Sequence, residues 1–342
     1  MGAVRGNRST SAALLAAFSA LLVVACSSSC TATTANARIV AAAGEGAGAC
    51  AIVEGGRVHC WYEGAAVWIP GIADAESLSV QQPEGCAVRR GGLVSCWRYS
   101  ADLGKQKIYV EDVSLDAVSR VVMTMEQACA IVANGGVSCW RTNRHPHERM
   151  QPARAANLTD VVDLAFYYGR ALALQRGGHL IDFGVGDSPG VLTVVATVAD
   201  AAQVALGDHF ACLRTRAGSV SCWGDNWMGR LGDGTLISRD DPRPVAGLSN
   251  VVEIGAGVGH ACALHADGTV SCWGSNQYGE VGVKSEGLSD ARKTPVQVPG
   301  VHAESLVVVH YGACAVTTAH ELVCWGNGDG PRRMEVSAPK DS

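Results

Sequence analysis

Twelve cysteines stand in six pairs of one spacing: Cys50/Cys60, Cys86/Cys96, Cys129/Cys139, Cys212/Cys222, Cys262/Cys272 and Cys314/Cys324. A tryptophan follows the second cysteine each time, at Trp61, Trp97, Trp140, Trp223, Trp273 and Trp325. Paired thiols can form disulfides, hold a metal or stay reduced in a core. Zinc ligands come as close Cys-x₂₋₄-Cys clusters, and the repeated pairs contain none. A hairpin offers the first chemistry directly. With Ala266-Asp267-Gly268 as its loop, His265 faces Thr269, Leu264 faces Val270 and Cys262 faces Cys272. Directly opposed residues at a non-hydrogen-bonded site bring their Cβ atoms close enough for a disulfide. Each such bond closes a small loop and contributes roughly 2–3 kcal/mol in the chain-entropy description. Six disulfides are therefore expected, with reduced core thiols and then a metal as the competing readings.

The elements that must hold these pairs are repeats. First cysteines advance from 50 to 86, 129, 212, 262 and 314, and the gap between 129 and 212 is double. Its middle holds a degenerate copy. Aligning Gly169–Gly184 with Gly259–Gly274 puts Leu172 and Asp182 at the cysteine positions and Phe183 at the tryptophan. Both thiols are missing together, as a paired function requires. The count is then seven repeats of 36–52 residues. Each reads as an apolar strand, a short strand ending at a Gly turn, a Val-Ser-Cys-Trp strand, a variable Gly/Asn-rich loop and an outer strand of the Pro295-Val-Gln-Val298 kind. Four short strands per unit is a propeller-blade pattern. Strand alternation sends Cys272 and Trp273 to opposite faces, so the indole is expected to fill the layer between blades. The fold expected is all-β, a seven-bladed β-propeller of four-stranded antiparallel blades, most with an internal disulfide. The first repeat starts near Arg38 with its own strand and the last ends near Val336, so closure is expected to rest on blade packing.

Composition agrees. The 342 residues include 41 Gly, with 48% hydrophobic and 17% charged. That suits short strands and tight turns and leaves enough apolar matter for a core. The net charge is −5. Without Arg5 and Arg8 it falls to 25 basic against 32 acidic residues, or −7. A phosphate-binding surface would be basic, so nucleic acid is not the expected partner.

Arg5 and Arg8 precede an uncharged Ala/Leu/Val stretch, Ser11 to Ala25, in the manner of an export signal. It ends Leu22-Val23-Val24-Ala25-Cys26, which resembles the bacterial lipoprotein signal. By that resemblance Cys26 carries the lipid, and ordinary cleavage beside a spare thiol is the alternative. The boundaries expected are a signal over 1–25, a flexible tether over 26–37, the propeller over 38–337 and a tail over 338–342. The location expected is the bacterial cell envelope, at the outer membrane, reached through the lipid alone. Cys30 is left without a partner in the pattern.

Gly259-His-Ala-Cys-Ala-Leu264, Asp267-Gly-Thr-Val270, Trp273-Gly-Ser-Asn276 and Gly279-Glu-Val-Gly282 resemble repeats of the regulator of chromosome condensation family. So does Trp223-Gly-Asp-Asn226 with Gly229-Arg-Leu-Gly232. The resemblance covers about residues 38–337 and is loosest in the first four repeats, where Trp97-Arg98 and Trp140-Arg141 replace Trp-Gly. It implies a seven-bladed propeller. The family's nucleotide-exchange activity does not follow, because this chain is acidic and reads as exported. Exported bacterial members include protein inhibitors of β-lactamases that use aromatic residues on one face.

Three functional classes remain. No nucleophile elbow, phosphate loop or HExxH motif marks an enzyme. His145-Pro-His147 is a weak metal suggestion set against a solvated loop. The reading favoured is a monomeric, non-catalytic binding scaffold without cofactor or metal, presenting its loops to a protein or glycan at the envelope. Trp227, Met228 and Arg230 in the loop Gly224–Arg239, and Tyr278 in the loop Gly274–Lys293, are the candidate contacts. An exported hydrolase or lyase is the alternative, and an exchange factor the third.

Overall fold

A computed structural model describes residues 39–334, apart from 46–47, 63–64, 82, 103–104, 116, 125–126, 143–149, 156–157, 185–191 and 327–329. Cys26, Cys30, His145, His147, the expected signal and tether, and the tail 338–342 lie outside the described residues.

The strands form seven four-stranded antiparallel sheets, each built from four consecutive strands. The blades span 39–73, 75–113, 118–154, 161–197, 201–244, 251–297 and 303–334. All belong to one unit, Thr34–Ser342.

Local chemistry sets the central hairpin of each blade. In the sixth, Gly268 takes φ +85°. The Asp267 carboxylate accepts from the Thr269 amide at 2.9 Å and hydroxyl at 2.7 Å. The His265 amide donates to Thr269 O. That closing pair is hydrogen-bonded, so Cys262 and Cys272, three steps on, fall at a non-hydrogen-bonded site. All six cysteine pairs are disulfides inside their own blades: Cys50–Cys60, Cys86–Cys96, Cys129–Cys139, Cys212–Cys222, Cys262–Cys272 and Cys314–Cys324, with Cα separations of 3.9–4.1 Å. In the fourth blade Leu172 stands opposite Asp182, where the other six have cystine.

The tryptophans face the other way, and the two features interlock. The Cys262–Cys272 disulfide shares a core with Trp325 of the next blade, and Cys212–Cys222 shares one with Trp273. The same pairing joins Cys50–Cys60 to Trp97 and Cys86 with Cys96 to Trp140. Phe183 takes the indole's place against Cys129 and Cys139, and Leu172 takes the cystine's place against Trp223. The seventh interface sets Cys314 and Cys324 beside Trp61 and Ile39 of the first blade, closing the circle.

The repeat makes the six pairs look equivalent, and in burial they are not. Cys139 and Cys324 are only half-buried, whereas their partners Cys129 and Cys314 and both sulfurs of every other pair are buried. The cause lies in the neighbouring blade. Cys139 is covered by Phe183, a smaller ring than indole, and Cys324 by Trp61, which is itself partly exposed.

A backbone clasp repeats at the same seams. The amide opening each inner strand donates to the carbonyl of the preceding blade's hairpin turn. Ala75 bonds Gly56, Val118 bonds Gly92, Val161 bonds Gly135, Val251 bonds Gly218 and Ala303 bonds Gly268, at 2.8–3.1 Å. The closing seam uses the same bond, Ile39 N to His320 O at 3.1 Å. Among the described residues closure therefore rests on packing and this clasp, with no strand exchanged between sheets. His320 holds φ +59° where the five other turns use glycine. Between the fourth and fifth blades the clasp is absent, because Gly178 O is taken by Val198 N of its own blade.

Inner strands also need cover for their free edges. Side chains supply it from one blade to the next. Asp163 accepts from Val204 N at 2.8 Å, Gln203 from Ile254 N at 3.0 Å and Glu253 from Leu306 N at 2.9 Å.

Candidate functional site

The connections between first and second strands, and between third and fourth, emerge on one face of the ring. In the fifth and sixth blades the longer of these are fixed by a buried asparagine. Asn226 Oδ1 accepts from Leu231 N, and its amide nitrogen donates to Thr235 O and Ile237 O at 3.2 Å each. Asn276 repeats this, accepting from Val281 N and donating to Asp290 at 2.6 Å. The indole nitrogen of the next blade secures each loop from outside: Trp273 donates to Arg230 O at 2.9 Å, and Trp325 to Glu280 O at 3.0 Å.

These fixed loops raise apolar side chains into solvent. Trp227 is 54% exposed and Tyr278 49%. Met228 is half-buried, in the left-handed region at φ +61°. Leu236, Ile237 and Leu288 are exposed on the same two loops. Arg230 is placed differently. It is buried, donates to Trp227 O at 3.0 Å and to Asp208 O, and lies over the Phe210 and Trp227 rings. Burial pushes its guanidinium below the usual value. Arg230 is thus a strut beneath Trp227.

The short inner turns add aromatic groups absent from the sequence-based candidates. Tyr168 is 65% exposed and Tyr311 57%. The Tyr311 ring lies 6.1 Å from Tyr278, joining the seventh blade to the sixth. His310 lies 5.7 Å from Tyr167 and 5.4 Å from Tyr168, so rings of the seventh and fourth blades meet across the channel. Burial lowers the His310 pKa. Rings of the fourth, seventh and sixth blades therefore form a chain of contacts on this face, with Trp227 exposed on the fifth. The sequence signal was available: counted back from the cysteine position, Tyr168 aligns with Val258 and Tyr311 with Gly259, each the one Tyr, Trp or Phe in its turn column.

Charges around these rings are matched locally. Asp225 lies 3.8 Å from Arg230, Asp233 3.6 Å from Arg239 and Glu286 3.1 Å from Arg292. Glu280 turns inward and accepts from Tyr278 N at 2.7 Å, and burial raises its pKa. Nearer the opposite face, the channel holds a cavity of about 410 Å³ lined by Arg120, Asp163, Arg214, Glu253 and Glu304, among others. Arg120 lies 3.0 Å from Asp163, whose burial raises its pKa. Among the described residues no cluster of His, Cys, Asp and Glu is arranged to hold a metal.

The family model for the regulator of chromosome condensation (RCC1) repeat matches residues 201–229 and 251–280, and a second model of that repeat matches 217–264. Residues 201–280 thus match the RCC1 repeat. Those matches fall on the two blades whose asparagine-fixed loops form the site. No curated protein matches the sequence. The RCC1-like ring is similar in fold to Prp20p from Saccharomyces cerevisiae, with TM-score 0.65 and 16% identity over 87% of this chain and 83% of that one. Human WBSCR16 superimposes with TM-score 0.61 and 18% identity, covering 81% of this chain and 86% of its own. PorZ, a surface component of the type-IX secretion system of Porphyromonas gingivalis, gives TM-score 0.58 and 15% identity over 90% of this chain and 39% of its own.

Proposed function

We propose that this RCC1-like propeller is a non-catalytic binding protein that presents its aromatic face to a protein partner, held at the cell envelope by a lipid on Cys26. The observation that carries the reading is the set of exposed aromatic side chains, Trp227, Tyr278, Tyr311 and Tyr168, on the loops of one face. Large exposed apolar groups on fixed loops are costly to leave in water and suit an interface centre, where Trp and Tyr supply most binding energy. The aliphatic Leu236, Ile237 and Leu288 beside them favour a protein over a sugar, which stacks on rings. Prp20p binds Gsp1p and histones, so a ring of this build serves protein partners there. The envelope location rests on the sequence of residues 1–30.

Capture from envelope extract tests the face. Trp227→Ala and Tyr278→Ala are each expected to lower recovery of a specific partner by about tenfold or more, the scale of an interface hot spot. Local charge matching makes that recovery insensitive to salt. Equal recovery by wild type and both variants removes the face. Cys26→Ser is expected to move the protein out of the membrane fraction, and an unchanged distribution refutes the anchor.

A further inference from the structure

We infer that the channel cavity is a binding site for a free aliphatic α-amino acid, its carboxylate held by Arg120 and Arg214 and its ammonium group by Glu253 and Glu304. The site lies toward the face opposite the aromatic loops and does not depend on them. Arg214 occupies a position built for an apolar side chain. Two residues past the first cysteine position, the other six blades have Ile52, Val88, Ile131, Leu174, Leu264 and Val316, all buried. Each of the six belongs to the core shared with the next blade. A guanidinium at such a position is costly unless it is paired. Arg214 is half-buried, and its hydrogen bonds go to neutral oxygens, Nε to Gln203 Oε1 at 3.3 Å and Nη1 to Thr215 O at 3.1 Å. Those bonds use two of the five N–H groups of an arginine, and among the described residues Arg214 forms no ion pair. Burial pulls its guanidinium below the usual value, with the charges of Asp163 and Glu253 opposing. An aliphatic residue would pack better here, and chains keep such departures from the pattern of a fold where function uses them.

The cavity that Arg214 lines measures about 410 Å³, and small-molecule sites occupy roughly 300–1,000 Å³. Arg120 lines it too, with its side chain 45% exposed and Nη1 3.0 Å from Asp163 Oδ1. Two guanidinium groups suit a carboxylate. Asp163, Glu253 and Glu304 stand in the same wall, so the lining holds two cations and three carboxyl groups. A bare anion would meet the carboxylates and a bare cation the guanidinium groups, whereas a zwitterion offers each set its opposite. Arg120 already neutralises Asp163, which leaves Glu253 and Glu304 for an ammonium group. Glu253 accepts from Leu306 N with Oε2 at 2.9 Å, and Glu304 is half exposed with His320 Nδ1 3.5 Å away. Apart from Gln203, the rest of the wall is aliphatic: Val162, Ala202, Val252 and Leu264. Val252 is 47% exposed. A branched aliphatic side chain would cover that surface, and a polar one would leave it in water.

Isothermal titration calorimetry of the full chain with leucine, and with molecules lacking one part of it, tests this. Leucine is expected to bind one-to-one. Isocaproate lacks the ammonium group, isopentylamine lacks the carboxylate and glycine lacks the side chain; each should bind at least about tenfold more weakly. Arg214→Leu restores the residue type of the other blades. It should keep or raise the thermal midpoint while weakening leucine by about tenfold or more, which separates loss of the site from loss of the fold. Glu304→Gln should weaken leucine and leave isocaproate unchanged. No binding of leucine up to about 10 mM, isocaproate or isopentylamine bound as well as leucine, or leucine bound by either variant as by wild type would each overturn the proposal. So would an Arg214→Leu chain that melts below wild type, because Arg214 would then be a structural strut.

Discussion

Asn226 and Asn276 show how much a single side chain decides at this site. Each is buried and bonds a backbone amide on one side and oxygen acceptors on the other, so the long loop folds around it. Replacing Asn276 with Ala strands Val281 N and removes the bond to Asp290. A cost of about 2–4 kcal/mol follows from leaving buried polar groups unpaired, to be read from chemical denaturation. A loss under 1 kcal/mol would mean that water takes over the role. Histidines set a second residue-scale behaviour. His59 and His260 are fully buried, and burial lowers both to about 4 from 6.5. The unfolded imidazole takes a proton near 6.5 and the folded one only near 4, so stability present above 6.5 is lost as the pH falls toward 4. Between pH 7 and 5 each histidine should cost about 2 kcal/mol. Glu84, Asp163, Glu253 and Glu280, all raised by burial, act in the opposite sense as they take up protons. The test is a comparison of His59→Gln with wild type: the stability lost from pH 7 to 5 should shrink by that amount, and parallel curves would rule it out.

At the scale of elements, the hairpin was the most legible part of the sequence. A fixed ten-residue spacing and a Gly turn define a register, and the register defines which faces carry sulfur and which carry indole. That logic extended to the fourth blade, where Leu172 and Asp182 sit opposite one another as the alignment required. It also yields a prediction. Leu172→Cys with Asp182→Cys should form a seventh disulfide and raise stability by about 2 kcal/mol under oxidising conditions, visible as a midpoint that drops on reduction. Absence of the bond in a mass spectrum would show that this blade's geometry differs from its neighbours'. Spacing did not reveal how well each cystine is covered. Cys139 and Cys324 are half-buried because of the ring that the adjoining blade brings, and that ring belongs to another repeat. Arg230 was hidden in the same way. A sequence places an arginine in an exposed-looking loop, but only the folded chain brings Phe210 and Asp208 O beneath it. The meeting of Tyr168 with His310 depends on two blades facing one another across the ring, a contact far apart in sequence.

For the whole molecule, the seven seams are close to interchangeable. The closing seam between Ile39 and His320 carries the backbone bond found at five other seams and the sulfur-beside-indole core found at four. The chain could therefore be cut elsewhere. A circular permutant opened between Ala199 and Asp200, at the one seam without the backbone clasp, with Met334 linked to Ile39, should fold to the same secondary structure and melt within a few degrees of wild type. A permutant that fails to fold while wild type refolds would show that the order of assembly matters.

The alternation of cystine and tryptophan around the ring has an optical consequence. A disulfide in contact with an excited indole drains its emission, so Trp61, Trp97, Trp140, Trp273 and Trp325 should be dim in the native protein. Trp223 rests on Leu172 instead and should glow. Reduction, or separation of any two blades, would brighten the dim residues one seam at a time, giving the protein an internal fluorescent gauge of its own integrity.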